Sequence, residues 1–227
     1  WRRNRGRCMG TLYWQFNDCW PVASWASVDY FGRWKALQYF AKRFYEPLLL
    51  TVCEGETTAT VHVTNDTKIP VEAVMNWSLE KLNGEVVKSG SLPFTAISEK
   101  DNLVAELDFT VELAGDGKRQ CVLVCELVIG GAKKAITLTP FVPSKHLELV
   151  DPELDVKTGS DEFGAYIEVT AKNTARFVYM EIPEADVIFS DNFFDLPAGR
   201  TAKIRPIAYA DGVDISNVRV YSLYESF

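Results

Sequence analysis

From Pro47 onward this 227-residue chain contains no segment with the three-and-four spacing of an amphipathic helix. It offers instead short β-branched and aromatic runs broken by turn residues. LLLTVCE, ATVHVTND, EAVMNWSLEKL, GEVVKSGSLPF, NLVAELDFTVEL, QCVLVCELVI and KKAITLTPFV succeed one another within about 95 residues. Alternation is clear in places: Thr60, His62 and Thr64 lie opposite Val61, Val63 and Asn65. Asn83-Gly84 and Gly130-Gly131 are hairpin signals, and Asp66 to Pro70 is a turn. Seven strands at this spacing match the count of an immunoglobulin-like sandwich. A boundary falls in PSKHLELVDP, near 143–152. LDVKTGS, GAYIEVTAKN, ARFVYMEI, ADVIFSDNFFDL, TAKIRPIAYA and NVRVYSLYES then predict six or seven strands of a smaller sandwich in about 75 residues.

The first 46 residues are of another kind. They hold five of the six tryptophans and 13 of the 28 aromatic residues, with a net charge of +5, whereas residues 47–227 carry −12. MGTLYWQF (9–16) predicts a strand, and NDCWPVASWASVDYFG a loop without period. In GRWKALQYFAKRFY (32–45) the spacing of Trp34, Leu37, Phe40, Ala41 and Phe44 predicts a helix. Asp29 or Ser27 would cap it, Lys42 and Arg43 suit its C-terminal end, and Pro47 stops it. One strand-loop-helix unit cannot bury its own faces. Its loop follows the strand's C-terminal end, the side on which barrels and open α/β sheets bind ligands.

Composition excludes several classes. A net charge of −7 argues against nucleic acid as a partner, and no apolar run approaches the roughly 20 residues of a membrane span. Cys8, Cys19, Cys53, Cys121 and Cys125 are odd in number and irregularly spaced, which is a poor disulfide framework and leans toward a reducing, cytoplasmic compartment. Cys121 and Cys125 would share one strand face with Leu123 and Leu127 as small buried hydrophobes. His62 and His146 are isolated, so no zinc site is expected. Neither a nucleophile elbow nor a phosphate-binding glycine loop occurs. The chain opens on Trp1 and reads as a piece of a longer protein. A periplasmic or lysosomal setting therefore stays open.

The segment richest in chemistry is Tyr13-Trp14-Gln15-Phe16-Asn17-Asp18-Cys19-Trp20-Pro21. Aromatic faces stack on the C–H faces of sugars, while amides and carboxylates hydrogen-bond hydroxyls, so this mixture suits carbohydrate. A tryptophan-rich core stripe beneath a loop is the other reading. A retaining glycosidase needs two carboxylates roughly 5–5.5 Å apart. Residues 1–46 offer Asp18, Asp29 and Glu46, and nothing in their spacing sets two of them as a pair. Farther on, FSDNFFDLPAG (189–199) reads either as a sugar- or calcium-binding loop or as a turn. In the turn, Asp and Asn would fix the backbone while Phe189, Phe193 and Leu196 reach the core.

Residues 8–49, CMGTLYWQFNDCWPVASWASVDYFGRWKALQYFAKRFYEPLL, closely resemble a stretch of the exo-acting β-mannosidases of glycoside hydrolase family 2, and FSDNFFDL resembles a motif of their C-terminal domain. The resemblance implies a mainly β chain. Two immunoglobulin-like β-sandwich domains (47–146 and 147–227) would follow the last strand-loop-helix unit of a (β/α)8 barrel (1–46). It also implies that the catalytic glutamates lie on earlier barrel strands, within a missing N-terminal catalytic portion that would be this segment's partner. The whole enzyme would release terminal β-D-mannose from β-mannoside oligosaccharides with retention, without cofactor or metal. Trp14 would be the hydrophobic platform of the sugar subsite. Gln15, Asn17, Asp18, Trp20 and Trp25 would wall the pocket or order the loop. Two alternatives stand beside this. One is a carbohydrate-binding β-sandwich using Tyr166, Tyr179, Tyr209, Tyr221 or Tyr224; the other is a related exo-β-glycosidase acting on glucosaminides or galactosides.

Overall fold

A computed structural model of the chain describes residues 1–226. Contacts divide it into two compact units: residues 1–11 with 45–149, and residues 12–44 with those from Val150 on. Among the described residues no helix is long and apolar enough to cross a membrane.

The first unit contains seven strands: β1 (Leu48–Glu54), β2 (Thr58–Asn65), β3 (Val71–Lys81), β4 (Val86–Ala96), β5 (Lys100–Asp108), β6 (Cys121–Ile129) and β7 (Ala132–Pro140). All pairings are antiparallel, in a three-stranded sheet β1-β2-β5 and a four-stranded sheet β4-β3-β6-β7. Both glycine turns form as expected: Gly84, Gly130 and Gly131 take positive φ, where a side chain would be strained. Ala59, Val61 and Val63 of β2 enclose a core with Met75, Leu79, Phe109, Leu123 and Leu127. Cys121 and Cys125 sit in the same core, and burial pushes the Cys125 thiol up to about 12, so it packs as a hydrophobe. The intervening Val122 and Val124 are buried against Leu82 and Leu138, so β6 is covered on both faces. Trp77 lies across from Gly90, where a Cβ would stand 2.7 Å from the indole; the glycine makes room for the ring. The basic N-terminal segment belongs to this unit. The Arg2 and Arg5 guanidinium groups converge on Asp66, at 2.9 and 2.5 Å.

The second unit holds α1 (Ala36–Phe44) and eight short strands: β8 (Leu154–Asp161), β9 (Gly164–Ala171), β10 (Ala175–Glu181), β11 (Ile188–Phe189), β12 (Phe194–Leu196), β13 (Thr201–Ile204), β14 (Pro206–Ala208) and β15 (Arg219–Tyr221). They form sheets β13-β9-β8, β12-β10-β15 and β11-β14. Ile167, Val169, Val178, Met180, Phe189 and Leu196 make the core. Phe193, expected there too, remains outside it: it is half-buried and stacks on Tyr179 with ring centroids 4.9 Å apart.

Two local expectations fail for physical reasons. Residues 9–16 form no strand ladder, because no described strand pairs with them; one isolated parallel bridge, Asn17 to Val28, marks the segment's end. The helix begins at Ala36 rather than near 32. Asp29 caps the preceding turn, accepting from the Phe31 and Arg33 amides, both at 2.9 Å, and Ser27 is fully buried.

Candidate functional site

Segment 13–35 is built around one buried carboxylate. Asp18, 4 % exposed, accepts from the Ser24 hydroxyl at 2.5 Å, the Lys35 ammonium at 3.0 Å and the Gln15 amide at 3.4 Å. The Asn17 amide donates to the Asp18 carbonyl at 3.2 Å. Main-chain bonds clasp the same strip. The Asp18 amide donates to Val28 O, Val28 N to Phe16 O, Ser27 N to Gln15 O, and Lys35 N to Ser27 O. Beneath them the Ser27 hydroxyl lies 2.9 Å from the Phe16 carbonyl, 2.7 Å from the Gln38 amide oxygen and 2.8 Å from the Tyr13 hydroxyl. A loop with no periodicity is thus held by polar groups where a ladder is lacking. The Trp14–Gln15 peptide bond is cis.

Four aromatic residues of this loop are exposed. Trp14 is 76 % exposed, Trp20 65 % and Trp25 66 %, with Phe16 also exposed. Of the six candidate site residues, Gln15, Asn17 and Asp18 come together through hydrogen bonds, and the three tryptophans are exposed. The acids are already engaged: Asp18 with Lys35, and Asp29 with Arg33 at 2.6 Å. Burial raises the Asp29 carboxyl, but the Arg33 amide and guanidinium outweigh it and keep it low. Among the described residues no three His, Cys, Asp or Glu side chains converge as a metal site requires.

The Ser24 hydroxyl, and after it the Lys35 ammonium, hold the Asp18 carboxyl below its usual value against the opposing effect of burial. A depressed folded-state value means that this stabilisation is present above the unfolded pKa, near 3.8, and is lost as pH falls through the folded one. Asp18→Asn should accordingly speed proteolysis within residues 19–26 severalfold at neutral pH. It should also flatten the acid dependence of that cleavage below about pH 4. Limited proteolysis across pH checks both.

Residues 189–196 fasten α1 to the sandwich of the second unit. Tyr39 is buried, accepts from the Phe189 amide at 3.3 Å and packs edge-on against Trp34, with centroids 5.3 Å apart. Arg43 pairs with Asp191 and donates to the Asn192 and Phe193 carbonyls at 3.1 and 3.2 Å; Lys42 donates to the Ser190 carbonyl at 2.7 Å. Burial pushes the Asp191 carboxyl up, opposed by Arg43 and Lys42. The Asn192 side chain accepts from Met180 N at 2.8 Å and donates to Met180 O at 2.9 Å, taking the place of a paired strand residue. Its Asp and Asn thus fix backbone, as the turn reading expects. The Tyr39 contact was not evident from apolar spacing. The usable signal was Tyr39, Lys42 and Arg43 at i, i+3 and i+4, one polar-tipped helix face.

Comparison with known proteins agrees with this architecture. Residues 57–146 match the mannosidase Ig/CBM-like domain, and residues 149–226 match the Ig-fold domain of mannosidases. Together they define the class: a tandem of immunoglobulin-like domains of the mannosidase type. Along nearly its whole length the chain is similar to proteins named beta-mannosidase A. Beta-mannosidase A of Aspergillus terreus is 29 % identical over 99 % of this chain and 26 % of the relative; that of Aspergillus oryzae is 30 % identical over 99 % and 27 %. The chain thus spans about a quarter of the length of these relatives. Among solved structures, a β-D-mannosidase from Dictyoglomus thermophilum superposes with a TM-score of 0.83 at 21 % identity, covering 98 % of this chain and 27 % of that one. An exo-chitosanase from Amycolatopsis orientalis gives 0.66 at 15 %, covering 97 % and 31 %. At these identities the structural likeness concerns the fold.

Proposed function

We propose that this chain is the C-terminal portion of a retaining exo-β-mannosidase, and that by itself it is an accessory element without hydrolytic activity. In this reading residues 1–46 are the last unit of the catalytic barrel, and 47–146 and 147–227 are sandwiches that buttress it. The observation that carries the reading is the exposed Trp14 ring, next in the chain to Gln15, whose amide donates to the buried Asp18 carboxylate, on a chain whose relatives named beta-mannosidase A align along nearly its whole length. An aromatic face beside aimed polar groups is what a sugar subsite requires. Retaining hydrolysis needs a nucleophile and an acid/base carboxyl. Asp18 and Asp29 are committed to Lys35 and Arg33, so the catalytic pair would come from the preceding part of the barrel. The chemistry calls for no cofactor.

Hydrolysis of a chromogenic β-D-mannoside tests this. A longer protein that includes the barrel should release the chromophore and form the β-anomer first, whereas the 227-residue chain should release none. Turnover by the 227-residue chain would sink the reading.

A further inference from the structure

Within the second unit an open cavity of about 350 Å³ lies between loop 29–34 and the segments 181–189 and 208–210. That is within the usual range for small-molecule sites, about 300–1,000 Å³. Its lining includes the aromatic residues Phe31, Trp34 and Tyr209 and the charged residues Arg33, Glu181 and Asp186. None of these six belongs to the Trp14 surface or to the Asp18 base.

The availability of these groups points to a ligand. Tyr209 is 46 % exposed; its hydroxyl bonds to no described residue and its ring pairs with no other described aromatic. Phe31 is also exposed, with its ring edge-on to Tyr30 at 5.3 Å between centroids. Glu181 uses one oxygen to accept from the Tyr179 hydroxyl at 2.8 Å, leaving the other unpaired among the described residues. Asp186 is largely exposed and meets Arg33 only at 3.9 Å, which is longer than a hydrogen bond. Arg33 keeps its Nε on Asp29 at 2.6 Å, and its guanidinium lies over the Phe31 ring, 5.1 Å from the centroid.

The arrangement selects among ligand classes. Two carboxylates in the lining repel an anion, and the Arg33 guanidinium, 3.9 Å from Asp186, disfavours a cation. Acceptors and a donor together with aromatic side chains in one lining suit hydroxyl groups, which both donate and accept, carried on a ring with apolar C–H faces. We propose that this cavity binds a neutral saccharide, at a site separate from Trp14 and independent of hydrolysis.

Calorimetric titration of the 227-residue chain with mannotetraose tests the proposal. Saturable binding with a dissociation constant on the order of 1 mM is expected. Tyr209→Ala and Asp186→Ala should each weaken it about fivefold or more, while Lys157→Ala, an exposed substitution away from the cavity, leaves it unchanged. Both cavity side chains are substantially exposed, so the variants should keep the wild-type melting profile. Absence of binding up to about 20 mM, or binding that survives in both cavity variants, overturns the proposal. Chromophore release by the longer protein is a separate readout, so failure here leaves the hydrolase reading standing, and the reverse also holds.

Discussion

Asp195→Ala is expected to destabilise the second unit by about 3–5 kcal/mol. Asp195 accepts from Arg176 Nε at 2.9 Å and from the Phe177 amide at 3.0 Å. The Arg176 side chain is only 7 % exposed, and its NH1 already has no hydrogen-bond partner among the described residues, so removing the carboxylate strands a buried guanidinium. It also releases the Phe177 amide at an irregularity in the β10–β12 pairing, where Phe177 holds a positive φ of 50° that few bulky residues adopt. Two independent costs thus fall on one substitution. Replacing both partners together, Arg176→Met with Asp195→Leu, removes the buried charge and should recover much of the loss. Hydrogen exchange checks this: amides of β10 and β12 should lose protection in the single variant, and those of β2 and β6 should not. Equal loss in the double variant would mean that the amide contact matters and the ion pair does not.

The first unit was legible because its sequence obeys simple periodicity. On β6 the alternation of Cys121, Leu123, Cys125 and Leu127 names the core face, and the glycines at 84, 130 and 131 name two turns. The second unit was less legible because polar side chains replace pairing there. Asn192 bonds both backbone groups of Met180, and Asp195 holds the irregularity at Phe177. Neither leaves a period to count. The same holds at the candidate site: Asp18 reads in the sequence as a possible catalytic or sugar-binding acid, and the structure gives it Ser24 and Lys35 as internal partners. Residues 9–16 carry strand propensity, but a strand exists only where another strand pairs with it. Tyr39 lies outside the apolar stripe read from spacing, and its burial depends on a loop 150 residues away.

Trp14→Ala separates function from folding under the proposed reading. In the longer enzyme, losing an aromatic platform should forfeit about 1.5–3 kcal/mol of apolar contact with the sugar, which is roughly a 10- to 160-fold fall in kcat/KM. The ring is 76 % exposed in this chain and takes no part in the clasp formed by Asp18, Ser24 and Lys35. Its removal should therefore leave the stability of the second unit within about 0.5 kcal/mol. The pair of measurements discriminates because the rival reading, a tryptophan that holds the loop in place, reverses it. A structural Trp14 would lower the melting temperature of the isolated chain and affect catalysis only through loop order. Trp14→Phe adds a graded test: it keeps a flat apolar face and should restore part of kcat/KM, whereas Trp14→Leu, apolar but not planar, should restore less. A variant series in which Leu matches Phe would show that volume is what the position requires, and the stacking role would have to be abandoned.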